Sequence, residues 1–371
     1  MKITLDRATF TAALDRVGKV IEKRNTVPIL SHMLVRTGDR TAVLAGTDLD
    51  MEARTTIEAE VEAEGAATFP VDLVAGFARK LPAGKVTLEL KGGSLTVRSG
   101  RSRITVPSLD AGDFPELPPD PAAASFELEA GQLLALIERT AFAISTEGTR
   151  YYLNGIYLHA PVDGEVVLRA VATDGHRLAR HQIACPKGAE GLPGIITPRK
   201  AVAEIARLAK PLGAEKVIVA LSPTRLRLEL GMTTLTTKLI DGTFPDYLRV
   251  IPASTDKVAT LDAEALAAAV ARVGTVSSER GRAVRFTFAA GAPLRLQVKA
   301  PDAGEATDEV DVEWSAREGL EIGFNGVYVA DILAAAAAPK ARLALSDAGS
   351  PCLITAEAAP GSLFVLMPMR V

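Results

Sequence analysis

What most constrains this chain of 371 residues is that it repeats itself. "GDFPEL" at 112–117 returns as "GTFPDY" at 242–247, and "GTDL" at 46–49 returns as "ATDG" at 172–175. Three stretches share an opening: "LDRATFTAALDRVGKV" from Leu5, "LEAGQLLALIERTAFA" from Leu128 and "LDAEALAAAVARVGTV" from Leu261. Each begins with Leu and an acid and then takes helical spacing. Phe10, Leu14, Val17 and Ile21 share one face, as do Leu133, Ile137 and Ala141, and Leu266, Val270 and Val273. Asp6, Glu129 and Asp262 stand where a negative charge favours the positive end of a helix.

Between these openings the period changes from helical to alternating. "AVLAG" (42–46), "VVLRAV" (166–171) and "VRFTF" (284–288) predict strands. Second helices are expected over 71–81, 198–210 and 326–338, with Pro198 in a first helical turn. Alternating segments follow each of them, separated by turn residues such as Gly92-Gly93. The chain therefore reads as three copies of one α+β unit of about 120 residues, each holding two half-repeats of a helix plus antiparallel strands. The Pro-rich 114–124 and "VIPASTDK" (250–257) read as connections, giving expected domains at 1–122, 127–252 and 258–371.

Composition narrows the class. Hydrophobic residues make up 48% and charged residues 23%, as in soluble globular proteins. No apolar run nears the ~20 residues of a membrane span, and the N-terminus lacks a signal-peptide apolar core. Cys185 and Cys352 are isolated, which fits inert thiols in a reducing cytoplasm. Net charge is −3, so contact with nucleic acid requires positive charge gathered on one surface.

"ATDGHRLARH" (172–181) concentrates chemistry in ten residues. Asp174 and His176 could serve a hydrolase or transferase, given a nucleophile in reach. The same residues also read as the end of a strand and a turn, with Gly175 supplying backbone freedom. The four histidines show no metal-ligand spacing. Asp48, Asp50 and Glu52 alternate, which would place them on one face of a strand, more as solvated charges than as a metal site. No phosphate-binding GxxxxGK[ST] loop, GxGxxG or GxSxG is present, so no ATPase activity, cofactor or metal is expected. A scaffold that binds only protein is a third reading of a repeat chain.

Nine ordered motifs carry a resemblance: "VPIL" (27–30), "GTDLDME" (46–52), "VRSGRSR" (97–103), "RYYLNGI" (150–156), "ATDGHRLA" (172–179), "PRK" (198–200), "DGTFPDY" (241–247), "IGFN" (322–325) and "MPMRV" (367–371). Over essentially its whole length the chain resembles the bacterial sliding clamps, the β subunits of DNA polymerase III. The resemblance implies a DNA clamp fold, α+β, with three similar domains, each of two helices packed on antiparallel sheets. It implies a head-to-tail dimeric ring around duplex DNA and a non-enzymatic role as processivity factor. The implied partners are duplex DNA without sequence preference, a second copy of the chain, the polymerase α subunit, an ATPase clamp loader, and other polymerases and repair proteins. The implied location is the cytoplasm, with the nucleoid, and no membrane.

Carried over position by position, the resemblance implies a partner-peptide groove of Thr173, Gly175, His176, Arg177, Leu178, Pro245, Val250, Val365, Met367, Pro368, Met369 and Arg370. Methionines adapt to several ligands, and Arg177 and Arg370 could meet the polar ends of a peptide. The chain ends in Val371 where the family often has Leu, and Pro351 and Cys352 depart from the expected groove rim. For DNA, basic residues beside the apolar helix stripes (Arg16, Lys19, Lys23, Arg24, Arg79, Lys80, Arg139, Arg199, Lys200, Arg207, Lys210, Arg272) are candidates for phosphate contact, which permits sliding where base readout would oppose it. The resemblance favours Arg24, Arg150, Tyr151, Tyr152, Lys200, Arg249, Asn325 and Tyr328. Gly281 stands where the family can carry an aromatic, so no stacking contact is assigned there. For the dimer, Arg101, Arg103 and Leu109 are expected to face Glu305, Asp308 and Glu309. The C-terminal "LFVLMPMRV" also reads as a last edge strand.

Overall fold

The computed structural model describes residues 1–22, 25–118, 120–161, 164–277 and 283–371. Arg24 and Gly281, singled out above, lie outside the described residues, as does Lys23. Among the described residues there are six α-helices: α1 (Arg7–Gly18), α2 (Val71–Ala78), α3 (Ala130–Glu138), α4 (Arg199–Ala209), α5 (Ala263–Val273) and α6 (Gly326–Ala336). They fall in pairs, one pair to each expected repeat. None is long and apolar enough to cross a membrane.

The Leu-acid openings turn out to be the junction of a strand and a helix. Strands Lys2–Asp6, Ala124–Glu129 and Lys257–Asp262 run directly into α1, α3 and α5, with Leu5, Leu128 and Leu261 buried. Asp6 accepts the Thr9 amide at 3.0 Å and Asp262 the Ala265 amide at 2.7 Å, so each acid satisfies an orphan donor of the first turn. At α3 the Glu129 amide instead donates to Gln132 Oε1 at 3.2 Å. Pro198 ends strand Ile195–Pro198 and precedes α4; its fixed φ fits the extended residue before a helix as well as the first turn.

Two compact units are present. The first comprises Met1–Leu133, Lys187–Ala189 and Lys200–Leu239. It contains a five-stranded sheet ending in the hairpin Ser94–Ser99/Ser102–Pro107, and an eight-stranded sheet. The eight-stranded sheet is continuous because Thr233–Lys238 pairs antiparallel with Met51–Glu58, with Leu235 opposite Ala53. Phe10, Leu14 and Val17 of α1 are buried in its core. Phe114, from the first repeated Phe-Pro, is buried against Leu34 and Ala45.

The second unit comprises Leu134–Pro186, Glu190–Arg199 and Ile240–Val371. It contains a nine-stranded sheet and a four-stranded sheet whose end strand is Gly304–Val310. Here Arg177–Ala184 pairs antiparallel with Ser362–Leu366, with Leu178 opposite Val365. Ser362–Leu366 also pairs with Cys352–Thr355, so the C-terminal strand is internal to the sheet, not an edge. The reading of an edge strand missed this because its partner lies some 180 residues away in the chain. Phe244, from the second repeated Phe-Pro, stacks on Tyr157 with centroids 4.8 Å apart and planes 3° from parallel. Cys352 is fully buried, and burial raises its thiol pKa, so it belongs to the core and not to a rim.

His181 is buried at the pairing of Arg177–Ala184 with Ser362–Leu366, with Nδ1 2.9 Å from Ser362 Oγ, which also accepts from Arg139 at 3.0 Å. Burial, with Arg139 adding to it, lowers the His181 pKa from 6.5 to about 4. A depressed histidine pKa gives stability that is present above pH 6.5 and lost as pH falls toward 4, because the unfolded chain takes up the proton first. At ~1.4 kcal/mol per unit the effect is at most about 3.5 kcal/mol, before solvent screening reduces it. Thermal melts of His181→Gln should show a shallower loss of Tm from pH 7 to pH 4 than the unaltered chain.

Candidate functional site

The site lies in the second unit and begins with a turn. Strand Val167–Thr173 meets Arg177–Ala184 across three residues, Asp174, Gly175 and His176. Thr173 Oγ1 accepts the Gly175 amide at 3.1 Å and donates to the Arg177 carbonyl at 2.7 Å. Asp174 Oδ1 accepts the amides of His176 and Arg177 at 2.9 and 3.0 Å. Gly175 has φ +89°, which L side chains avoid.

The first repeat builds the same turn in the first unit. Thr47 Oγ1 accepts the Leu49 amide and donates to the Met51 carbonyl, and Asp48 Oδ1 accepts the amides of Asp50 and Met51. Leu49 takes the left-handed position at φ +77°. Thr-Asp is thus a turn-closing device: short side chains supply hydrogen bonds that a three-residue loop lacks. It also corrects the expectation of three acids on one strand face. Asp48 and Asp50 lie in the turn and only Glu52 is in a strand. Asp48 pairs with Lys200, Asp50 with Lys238 and Glu52 with Arg54. Among the described residues no group of acids, His or Cys could hold a metal ion.

Asp174 therefore spends its carboxylate on structure. Its second oxygen accepts Arg177 Nε at 3.0 Å. Arg177 also donates to Asp331 Oδ2 on α6 at 2.5 Å and to the Phe142 carbonyl at 2.7 Å, and lies over the Tyr328 ring at 4.2 Å. Its side chain is 11% exposed, so it is spent within the fold and does not extend toward solvent. Arg150 likewise turns inward, donating to the Asp174 carbonyl at 3.0 Å and to Glu147 at 2.9 Å.

Behind the turn, Leu178 and Val365 are cross-strand partners in an apolar cluster with Leu153, Val171, Ile196, Phe244 and Tyr247. Leu248, Val250, Met367, Met369 and Val371 are large apolar side chains left exposed, and Pro245 is exposed with them. Leu248 and Val250 follow the buried Tyr247 in one short 3-10 turn. The C-terminal segment is stitched down at two points: the Met367 amide donates to the His176 carbonyl at 2.9 Å, and the Met369 amide to the Gly323 carbonyl at 2.8 Å. Exposed adaptable side chains thus follow closely in sequence on two members of the cluster, Tyr247 and Val365, and Met367 is tied to the turn. Such a surface suits a short apolar peptide segment more than catalysis.

The residues assigned to DNA are distributed differently from the expectation. Tyr328 stacks on His176 at 6.4 Å and sits beneath Arg177, and Tyr152 packs on the apolar cluster, so both lie with the turn and its cluster. Sequence reasoning missed this grouping because α6 reaches the turn only through tertiary packing. Asn325 caps α6, accepting the Val327 amide at 3.0 Å, and is 9% exposed, so its side chain serves the helix start. Tyr151 is 53% exposed and Arg249 is exposed beside Asp246 at 2.9 Å. Lys200, in the first unit, contacts Glu22 and Asp48.

Comparison with known proteins gives the family. Models of the DNA polymerase III beta subunit match throughout: the N-terminal domain at residues 1–118, the central domain at 127–246 and the C-terminal domain at 248–370. The chain belongs to the DNA polymerase III beta subunit family. It is 45% identical to the beta sliding clamp of Caulobacter vibrioides and 37% identical to that of Escherichia coli K12, with all of both chains covered in each case. Among solved structures, a Bartonella birtlesii sliding clamp bound to griselimycin matches with a TM-score of 0.97 at 43% identity, and Caulobacter crescentus pol III beta with 0.95 at 44%, each covering both chains fully. The fold is the α+β clamp fold of three similar domains, and the chain is a processivity factor of DNA replication, an accessory protein and not an enzyme.

Because Gly175 holds φ +89° and an added Cβ would lie 2.6 Å from Arg150 Nη1, Gly175→Ala should destabilise the chain by about 1–2 kcal/mol. Urea unfolding curves check this.

Proposed function

We propose that two copies pair head to tail into a ring that encircles duplex DNA, slides without reading sequence, and tethers the polymerase α subunit through the groove around Leu178 and Val365. The observation that carries the ring is a matter of strand edges. Two junctions between repeats are ladders of one kind: the strand after a Thr-Asp turn, Met51–Glu58 or Arg177–Ala184, pairs with the last strand of the next repeat, Thr233–Lys238 or Ser362–Leu366. The counterparts left over are Gly304–Val310, which likewise follows a three-residue turn, and Ser102–Pro107, and both end their sheets. Exposed edges invite a partner strand, and a second copy supplies the matching one.

Transferring the register of the two formed junctions gives the third. Thr55 faces Thr233 and His181 faces Ser362, so Asp308 would face the partner's Ser102. Arg101 then meets Glu309, Arg103 meets Thr307 between Glu305 and Glu309, and Ile104 meets Ala306. Arg101, Arg103 and Glu309 have no ion pair among the described residues, whereas Asp308 pairs with Arg272 at 2.6 Å and Glu305 with Lys299 at 3.5 Å. Leu109, 36% exposed, supplies an apolar contact beside this ladder. Opposite charge on the two edges favours head-to-tail pairing over like with like. Domains at 1–122, 127–252 and 258–371 fit this scheme.

Thr173, Gly175, His176, Leu178, Pro245, Val250, Val365, Met367, Pro368, Met369 and Arg370 form the groove, with Tyr152 and Tyr328 beside them. Arg24, Lys200, Arg249 and Tyr151 are assigned to DNA. The same groove serves a clamp-loader ATPase and other polymerases and repair proteins, in a cytoplasmic protein working at the nucleoid.

Arg103→Glu should raise the dimer dissociation constant by tenfold or more, on the order of the coupling of close charge pairs. Sedimentation at low concentration reads this, and an unchanged dimer would count against the register. Ile104→Cys combined with Ala306→Cys should yield a covalent dimer on oxidation. Met367→Glu should weaken binding of a fluorescent peptide copied from the C-terminal tail of the polymerase at least about tenfold, as for other anchor positions, with the melting temperature preserved.

A further inference from the structure

The groove's turn is fastened to α6 by contacts that a bound peptide need not touch. The carboxylate of Asp331, one turn after Tyr328, takes Arg177 Nη1 at 2.5 Å, while Asp174 takes Nε at 3.0 Å and the Phe142 carbonyl takes Nη2 at 2.7 Å. The guanidinium is sandwiched, 4.2 Å from the Tyr328 ring and 5.1 Å from that of Phe142. A planar fork with fixed donors has one orientation that satisfies three acceptors at once. The C-terminal segment adds a parallel tie, from the His176 carbonyl at Met367 to the Gly323 carbonyl at Met369, just before α6 begins.

We propose that Asp331 is a positioning residue for partner binding: by holding Arg177 it fixes the turn 174–178 and the Met367 strand end against α6, so that groove affinity and the state of α6 are thermodynamically coupled. The inference rests on the groove reading above. Linkage is reciprocal, so whatever displaces α6 changes the groove, and an occupied groove stiffens α6. Asp331 is 39% exposed at its side chain, so removing its charge leaves no buried carboxylate or cavity behind. It belongs to α6 and is separate from the apolar residues that would seat a peptide anchor.

The test uses the full-length dimer and the labelled peptide from the polymerase tail. Asp331→Asn should weaken binding by roughly fivefold or more, the lower end of usual site-to-site couplings, with Asp331→Glu recovering most of the loss. Amide exchange in Asp331→Asn should accelerate at 175–178 and at Met367. A double-mutant cycle with Arg177→Lys should be strongly non-additive. Binding by Asp331→Asn within twofold of the unaltered chain, or additive effects in the cycle, would overturn the proposal. If the unaltered chain itself fails to bind the peptide, the groove reading falls, and that outcome is distinct from failure of the coupling alone.

Discussion

The organising constraint is that a β-strand cannot leave its edge unpaired for long. Each repeat of this chain ends one of its sheets with a strand after a tight turn, and at two places that strand is completed by a later repeat. Thr234 opposite Arg54 and Leu178 opposite Val365 are instances of one junction built twice. The hydrogen-bond ladders weld consecutive repeats so firmly that the compact units divide within the middle third, between 133 and 240, and not at the Pro-rich connections. Phe114, at the start of the first connection, is buried against Leu34 and Ala45, and Phe244, shortly before the second, shares a cluster with the cross-strand pair Leu178 and Val365.

The stretch with the densest display of reactive side chains proves to be architecture. Thr173 and Asp174 consume their oxygens closing a turn, as Thr47 and Asp48 do in the first repeat. Arg177 is drawn inward by two carboxylates, a carbonyl and two aromatic rings. Among what is left facing solvent are the apolar Leu248, Val250, Met367, Met369 and Val371. The proposed docking of several partner segments would gain from that division: rigid polar bonds behind, deformable hydrocarbon and thioether in front.

Much of this was legible in the sequence because it is local. Helix faces, the acid at the end of an entering strand, and turn residues each act over a few positions, so α1, α5 and the strands Lys216–Leu221 and Arg225–Leu230 follow from their patterns. The duplicated Phe-Pro motif reads in the sequence only as a sign of repetition; in the two copies that carry it, the phenylalanine is buried in an apolar cluster. The rest depends on residues brought together from afar. Nothing near Ser362 announces that its strand will pair with His181, or that α6 will set Tyr328 under Arg177. Alternation alone could not separate Asp48 and Asp50 in a turn from Glu52 in a strand, since a period of two in charge says nothing about where the backbone reverses. Asn325 looked like a surface contact, and the backbone amide of α6 claimed it first.

The floor and the rim of the proposed groove differ in chemical durability. Leu178 and Val365 are saturated hydrocarbon, sealed to 2% and 1% exposure, and are indifferent to peroxide. Met367 and Met369, at 38% and 37%, present sulfur to solvent. Conversion to the sulfoxide would set a polar, chiral S=O where an apolar ligand must lie. If these methionines line the proposed groove, oxidative stress would reach replication through two thioethers while the folded scaffold beneath them stayed intact, and methionine sulfoxide reductases would be the means of repair.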